Sequence, residues 1–271
     1  MMSPNPFITA AQSRKVLIGV VHLKPLPGSP RYTGESLESI VATATADANA
    51  ILEAGLDGWI LENFGDSPFF KGAVPSHVIA AMTRIAAALP GENNALRGVN
   101  VLRNDAAGAL AVAAAAGLDF VRVNVHTGAR VTDQGIIEGD AAATLRLRRN
   151  IAPDVAILAD VDVKHSEPLG QSFDLIESAR ETAHRGLADA LIVTGRATGS
   201  PIAFDQLKAV RGAVSDRSIL AGSGVTPHNV RDALSAADGA IVGTWLKRGG
   251  RIDDRVDLAR ARELVTEARR T

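Results

Sequence analysis

A strand-then-helix unit recurs along these 271 residues eight times, at a spacing of roughly 30 residues. The first strand, 16–22, is VLIGVVH, an apolar run ending in histidine, as expected of a strand buried on both faces. Its loop carries Pro25, Pro27, Gly28 and Pro30 and is stiff rather than regular; Ser36 then caps a helix that Gly55 ends. Further strands follow at 57–62, 97–102, 120–126, 155–163, 191–194, 218–222 and 239–243. Helices fall between them at 75–89, 106–116 (capped by Asp105, ended by Gly117), 140–150, 173–185, 204–214 and 227–236, and a charged helix over 254–270 closes the chain. Alternating β and α also suits a doubly wound open sheet, but eight units with no ninth argue for one (β/α)8 TIM barrel over residues 16–271, preceded by an N-terminal arm, 1–15. The long loops follow strands one, two, four, five and six. They form the rim at the strand C-terminal ends, where such barrels carry their sites.

The strand ends change character. In 157–166, ILADVDVKHS, the period of two puts Leu158, Asp160, Asp162 and Lys164 on one face and Ile157, Ala159, Val161 and Val163 on the other. In 120–126, Arg122, Asn124 and His126 share a face. Adding the inward positions His22, Glu62, Asn100 and Thr194, followed by Gly195, gives a polar row above apolar strand bases. Asp160, Asp162, Lys164, Glu62 and His22 are the candidate catalytic groups; Asn100, Arg122, Asn124, His126, Thr194 and Gly195 are candidates for holding substrate. An Arg122–Asp160 pair could instead be structural. Two carboxylates two positions apart push one another towards protonation, while Lys164 could hold both ionised, or, desolvated, form an imine with a carbonyl.

Strands seven and eight end in Gly222-Ser223-Gly224 and Gly243-Thr244, whose backbone N–H groups suit a phosphate. His22, Glu62, Asp160, Asp162 and His165 are metal-ligand types without a recognised spacing, so no metal is assigned and no cofactor firmly implied; a divalent metal stays an alternative. Loop 127–139, with glycines at 128, 135 and 139, can close over a ligand with Arg130 or Asp133 entering, and Thr194-Gly195-Arg196-Ala197-Thr198-Gly199 is a similar polar segment. Trp59, Trp245, Phe69 and Phe70 read as packing.

Composition excludes several classes. A net charge of -1 without a basic run argues against nucleic acid. Absence of cysteine rules out disulfides and thiolate chemistry, and suits a cytoplasmic location. The N-terminus lacks a secretory pattern, and the apolar run 106–118 is too short to span a bilayer, so no membrane insertion is expected. Ala-rich outer helices leave a homo-oligomer open.

The wording of several segments is distinctive: 19–30 (GVVHLKPLPGSP), 62–66 (ENFGD), 122–128 (RVNVHTG) and 159–165 (ADVDVKH), with the glycine segments 194–199 and 222–225. Together they resemble the BtpA/SgcQ family over nearly the whole chain. The resemblance implies a (β/α)8 barrel; some members are linked to photosystem I biogenesis in cyanobacteria, and others occur beside sugar-metabolism proteins. Lys24 stands where a small or prolyl residue is more usual. The expected function is an enzyme acting on a small phosphorylated sugar or nucleoside, by acid–base or lysine-assisted chemistry: a lyase, an isomerase or a glycosidic-bond hydrolase. The alternatives are a non-catalytic assembly or regulatory factor and a metal-dependent hydrolase.

Overall fold

Eight parallel strands close into a barrel in the computed structural model, which describes residues 5–91, 94–170, 173–195 and 204–270. In chain order the first half runs α1 (Pro6–Ser13), β1 (Val16–His22), α2 (Leu37–Glu53), β2 (Gly58–Glu62), α3 (Ser76–Ala88), β3 (Leu96–Asn100), α4 (Ala106–Ala116) and β4 (Phe120–Val123). A hairpin of β5 (Ala129–Thr132) and β6 (Gly135–Glu138) precedes α5 (Ala141–Ile151), β7 (Ala156–Asp162) and the short β8 (Ser166–Pro168). Then come α6 (Leu175–Arg180), β9 (Ala190–Val193), α7 (Phe204–Ala213), β10 (Ser218–Ala221), α8 (Val230–Ala236), β11 (Gly239–Val242) and α9 (Leu258–Arg269). The barrel order is β1-β11-β10-β9-β7-β4-β3-β2. β1 pairs with β11 from Val16↔Gly239 to Gly19↔Val242, which is the contact an open sheet lacks.

The caps behave as their chemistry demands. Ser36 accepts from Ser39 N at 3.2 Å, Asp105 from Gly108 N at 2.7 Å, and Gly117 ends α4 in the left-handed region. Inside the barrel, Val16, Ile18, Val20, Ile60, Leu96, Phe120, Leu158, Ile192, Leu220 and Ile241 form one apolar cluster, while the outward faces of the strands pack on the helices. Gly98 admits the Phe120 ring, which a Cβ at 98 would strike.

The expected N-terminal arm is helix α1, capped by Asn5. Its Phe7, fully buried, stands 4.8 Å from the Phe120 ring and closes the floor of the barrel. The floor also carries a repeat. Asp57, Asp119, Asp189 and Asp238 each immediately precede a strand and accept from a backbone N–H near the start of the strand before it: Leu17, Arg97, Ile157 and Ile219, at 2.7–2.9 Å. The same device joins β1 to β2, β3 to β4, β7 to β9 and β10 to β11, so the barrel is built of four like quarters.

On the opposite rim, the loop 127–139 is an ordered hairpin, and β8 adds to β5 to make a three-stranded antiparallel sheet. Among the described residues, no helix is long and apolar enough to cross a membrane.

Candidate functional site

Above the apolar layer, the inward positions at the strand ends are polar, and most are buried. Arg122 sits at the centre: its Nε and Nη2 donate to Asp160 Oδ2 (3.2 Å) and Oδ1 (3.0 Å), and its Nη1 to Glu62 Oε1 (3.4 Å). Asn124 donates to Asp160 Oδ2 at 2.6 Å, and Asn100 to Glu62 Oε1 at 3.3 Å. Burial pulls the Arg122 pKa down, but the Asp160 and Glu62 carboxylates outweigh it and hold the guanidinium above its usual value. With three donors on its two oxygens, Asp160 is built into the wall.

The expected pairing of Asp160 with Asp162 is not what the fold delivers. β7 shifts register against β9 between these residues, Asp160 facing Ile192 and Asp162 facing Val193. Such a bulge redirects the side chains beyond it. The Asp162 carboxylate meets Arg130 Nη2 at 2.6 Å instead, and Thr194 Oγ1 donates to the Asp162 carbonyl at 2.8 Å. Each carboxylate thus answers to its own arginine, and neither arrangement requires Lys164.

Lys164 borders three adjoining hollows. The first, about 310 Å³, is bounded by His22, Glu62, Arg122 and the Gly222-Ser223-Gly224 and Gly243-Thr244 turns. The second, about 350 Å³, lies between Phe64, Phe69, Asn100, Arg103, Asn124 and Gln134. The third, about 490 Å³, is bordered by Asp162, Thr194, Gly195 and the three-stranded sheet. Among the described residues, no carboxylate lies within 4.0 Å of Lys164 Nζ. Burial lowers its pKa, and Arg122 adds to the lowering against the weaker pull of Glu62 and Asp160. His22 is driven well below the ordinary histidine value by burial, then by Lys247, Lys164 and Arg122; its Nδ1 is buried without a partner. It is a neutral imidazole at neutral pH.

The glycine turns form a braced cradle. Gly224 has φ +65°, Gly195 N donates to Ser223 Oγ at 2.7 Å, and Asn229 bridges the Gly224 carbonyl and Thr226 N. At Gly243 a Cβ would lie 2.9 Å from His22 Cε1, so the backbone there approaches the site bare. Arg260 also borders this hollow, its guanidinium 3.9 Å over the Trp245 ring and its Nε on the Trp245 carbonyl at 2.7 Å. Nothing in the sequence singles Arg260 out among the arginines of α9. Trp245, Phe64 and Phe69 line cavities rather than only packing, whereas Trp59 is core and Phe70 is exposed.

His126 stands apart from the other strand-end groups. β4 ends at Val123, the inward alternation carries only as far as Asn124, and the His126 ring turns away to place Nε2 2.8 Å from the Gly186 carbonyl; it borders none of the three hollows. Lys24 pairs with Glu35 at 2.8 Å, also outside them. Residues 196–199 lie outside the described residues. Among the described residues, no three of the histidines and carboxylates are grouped as a metal site.

The BtpA family model matches residues 13–270. The chain belongs to the BtpA family. Its relatives there include an uncharacterised protein of Pyrococcus furiosus, 49% identical over 253 residues covering 93% of this chain and 94% of that protein. The photosystem I biogenesis protein BtpA of Synechocystis is 45% identical over 254 residues, 94% of this chain and 88% of that one. Among solved structures, this BtpA-family fold is similar to tryptophan synthase of Mycobacterium tuberculosis (TM-score 0.63, 17% identity, covering 99% of this chain and 100% of that one). It is also similar to thiamine phosphate pyrophosphorylase of Pyrococcus furiosus (TM-score 0.58, 17% identity, 95% and 96%). At these identities the likeness speaks for the barrel.

Proposed function

We propose that this BtpA-family barrel is a cytoplasmic enzyme acting on a small phosphorylated sugar or nucleoside through Lys164, as a lyase or isomerase. The observation that carries the reading is Lys164 itself: a half-buried amine with its pKa lowered, no carboxylate within 4.0 Å among the described residues, and a place on the boundary of the cradle and two further cavities. A structural lysine would be expected to face a carboxylate, as Lys247 faces Asp47 at 3.1 Å. The phosphate is held by the backbone at Gly222, Ser223, Gly224, Gly243 and Thr244, with Arg260 supplying the positive charge. The neutral Lys164 amine adds to a substrate carbonyl; loss of water leaves an iminium that draws electrons from the neighbouring bond. Glu62 and the neutral His22 border the same hollow and exchange protons with the substrate. Arg122 and Asn100 orient Glu62. Similarity to barrels whose names include thiamine phosphate pyrophosphorylase is in keeping with a phosphorylated ligand.

The test is borohydride reduction of the purified protein with a panel of sugar phosphates. A covalent adduct should form on Lys164 and be absent from Lys164→Arg, with turnover of the same compound reduced about 1,000-fold or more. Turnover unchanged in Lys164→Arg removes the lysine mechanism. The assembly-factor reading has one observation in its favour, 45% identity to the Synechocystis photosystem I biogenesis protein. Cellular function retained by the Lys164 variant would support it.

A further inference from the structure

The cavity between Phe64, Phe69, Asn100, Arg103, Asn124 and Gln134 lies beyond Lys164 from the glycine cradle, and the two hollows share Glu62, Arg122 and Lys164 as a common wall. One molecule can therefore reach both. The cradle accounts for a phosphate; nothing in that reading uses the second chamber.

Its walls have a definite chemistry. Asn124 spends its amide nitrogen on Asp160 Oδ2 at 2.6 Å, and because a carboxylate only accepts, this fixes which end of the amide is oxygen. The remaining Oδ1 is buried with no donor. Gln134, at the tip of the β5–β6 hairpin, repeats the arrangement: Nε2 donates to Asp133 Oδ2 at 2.5 Å, and Oε1 is buried with no donor. A buried acceptor left unmet costs stability, and the side chains that carry these two border one chamber. Phe64 and Phe69, centroids 6.1 Å apart and inclined at 62°, give the same chamber an apolar aromatic wall. Arg103, Arg122 and Lys164 set a positive field there, against which Glu62 and Asp133 are the bordering acids. A cationic occupant is disfavoured.

We propose that this chamber takes a neutral planar ring with N–H donors, of the nucleobase type, joined to the phosphorylated sugar held by the cradle. The ring lies against Phe64 and Phe69 and donates to Asn124 Oδ1 and Gln134 Oε1, and Lys164 stands beside the linking sugar carbon, a masked aldehyde: attack of the amine there breaks the bond to the ring, which leaves with a proton, and opening of the sugar onto its protonated ring oxygen gives the same iminium without loss of water. This rests on the phosphate reading of the cradle and narrows its substrate class to nucleotide-like N-glycosides rather than bare sugar phosphates.

Calorimetric titration of the full chain with inorganic phosphate, ribose 5-phosphate, the common nucleosides and their 5′-monophosphates tests both parts separately. At least one monophosphate should bind about tenfold or more tighter than ribose 5-phosphate, the gain being lost in Gln134→Leu and in Phe69→Ala. Arg260→Gln should weaken ribose 5-phosphate and monophosphate alike, leaving their ratio unchanged. Monophosphates no tighter than ribose 5-phosphate, or a gain that survives in both Gln134→Leu and Phe69→Ala, overturns the ring subsite while the cradle stands. If neither phosphate compound binds but a nucleoside does, with Gln134→Leu abolishing it, the cradle reading fails and the chamber is upheld. Binding by no compound overturns both.

Discussion

His22 shows at the scale of one residue how the site is prepared and what it costs. Its folded pKa lies below the ordinary 6.5, chiefly through burial and then through the charges of Lys247, Lys164 and Arg122. Below that ordinary value the unfolded chain takes a proton that the folded chain refuses, so the unfolded state gains protons and stability falls as pH falls. Above it the ring is neutral in both states and adds no slope. The limit for one proton is about 1.4 kcal/mol per pH unit. His22→Gln should therefore flatten the loss of stability between about pH 6.5 and pH 5, read from denaturant midpoints across that range. An identical slope in the variant would mean that the ring is not held neutral. The slope should shrink rather than vanish, since burial lowers His126 and His165 in the same direction.

At the scale of an element, the three-stranded sheet on the rim turns on Arg130. Its guanidinium reaches Asp162 at 2.6 Å and stacks 4.4 Å over Phe173, so one side chain ties the hairpin to the end of β7 and to the start of the next segment. The Arg130 side chain is only 7% exposed, which makes truncation costly to the hairpin's seating rather than to the barrel. Arg130→Ala should increase amide exchange across 129–138 and leave exchange in β1 and β2 unchanged. Equal protection of the hairpin in variant and wild type would show that β-pairing to β8 suffices. Since Gln134 lies on this hairpin, the proposed ring subsite also predicts weaker nucleoside monophosphate binding in Arg130→Ala, read in the same titration.

For the whole molecule, four aspartates tie neighbouring strands together at the barrel floor. Asp57 alone accepts from Leu17 N, Arg14 and Arg269, joining the two ends of the chain to the start of β1. Its two arginines are partly exposed and contribute little; the hydrogen bond from Leu17 N to a charged acceptor carries most of the effect. Asp57→Ala should cost about 2 kcal/mol in chemical unfolding. Arg262→Ala, which removes an exposed ion pair with Glu53, should leave the unfolding midpoint nearly unchanged. Equal effects from the two would show the floor contacts to be ordinary surface pairs.

Much of this is legible in the sequence. Eight periodic units, their caps at Ser36, Asp105 and Gly117, the polar strand ends and the glycine turns after the last two strands are local patterns, and local patterns are set by backbone sterics and by which faces must leave water. The alternation along β2, β3, β4 and β7 therefore placed Glu62, Asn100, Arg122 and Asp160 on the inward side, as the structure has them. It failed where the strand itself stopped or slipped: at His126, beyond the end of β4, and at Asp162, beyond the bulge in β7. The period of two holds only inside a ladder, and the ends of a ladder depend on what its neighbours offer. Arg260, Gln134 and the α1 plug were equally out of reach, because an arginine on a charged helix, a glutamine in a loop or a phenylalanine near the chain start becomes significant only when a distant segment is folded against it. The sequence by itself determined a closed barrel with a polar rim; tertiary packing alone decided that Asp160 and Asp162 face different arginines and that Lys164 borders both the hollow at the glycine turns and the hollow beside Phe64 and Phe69.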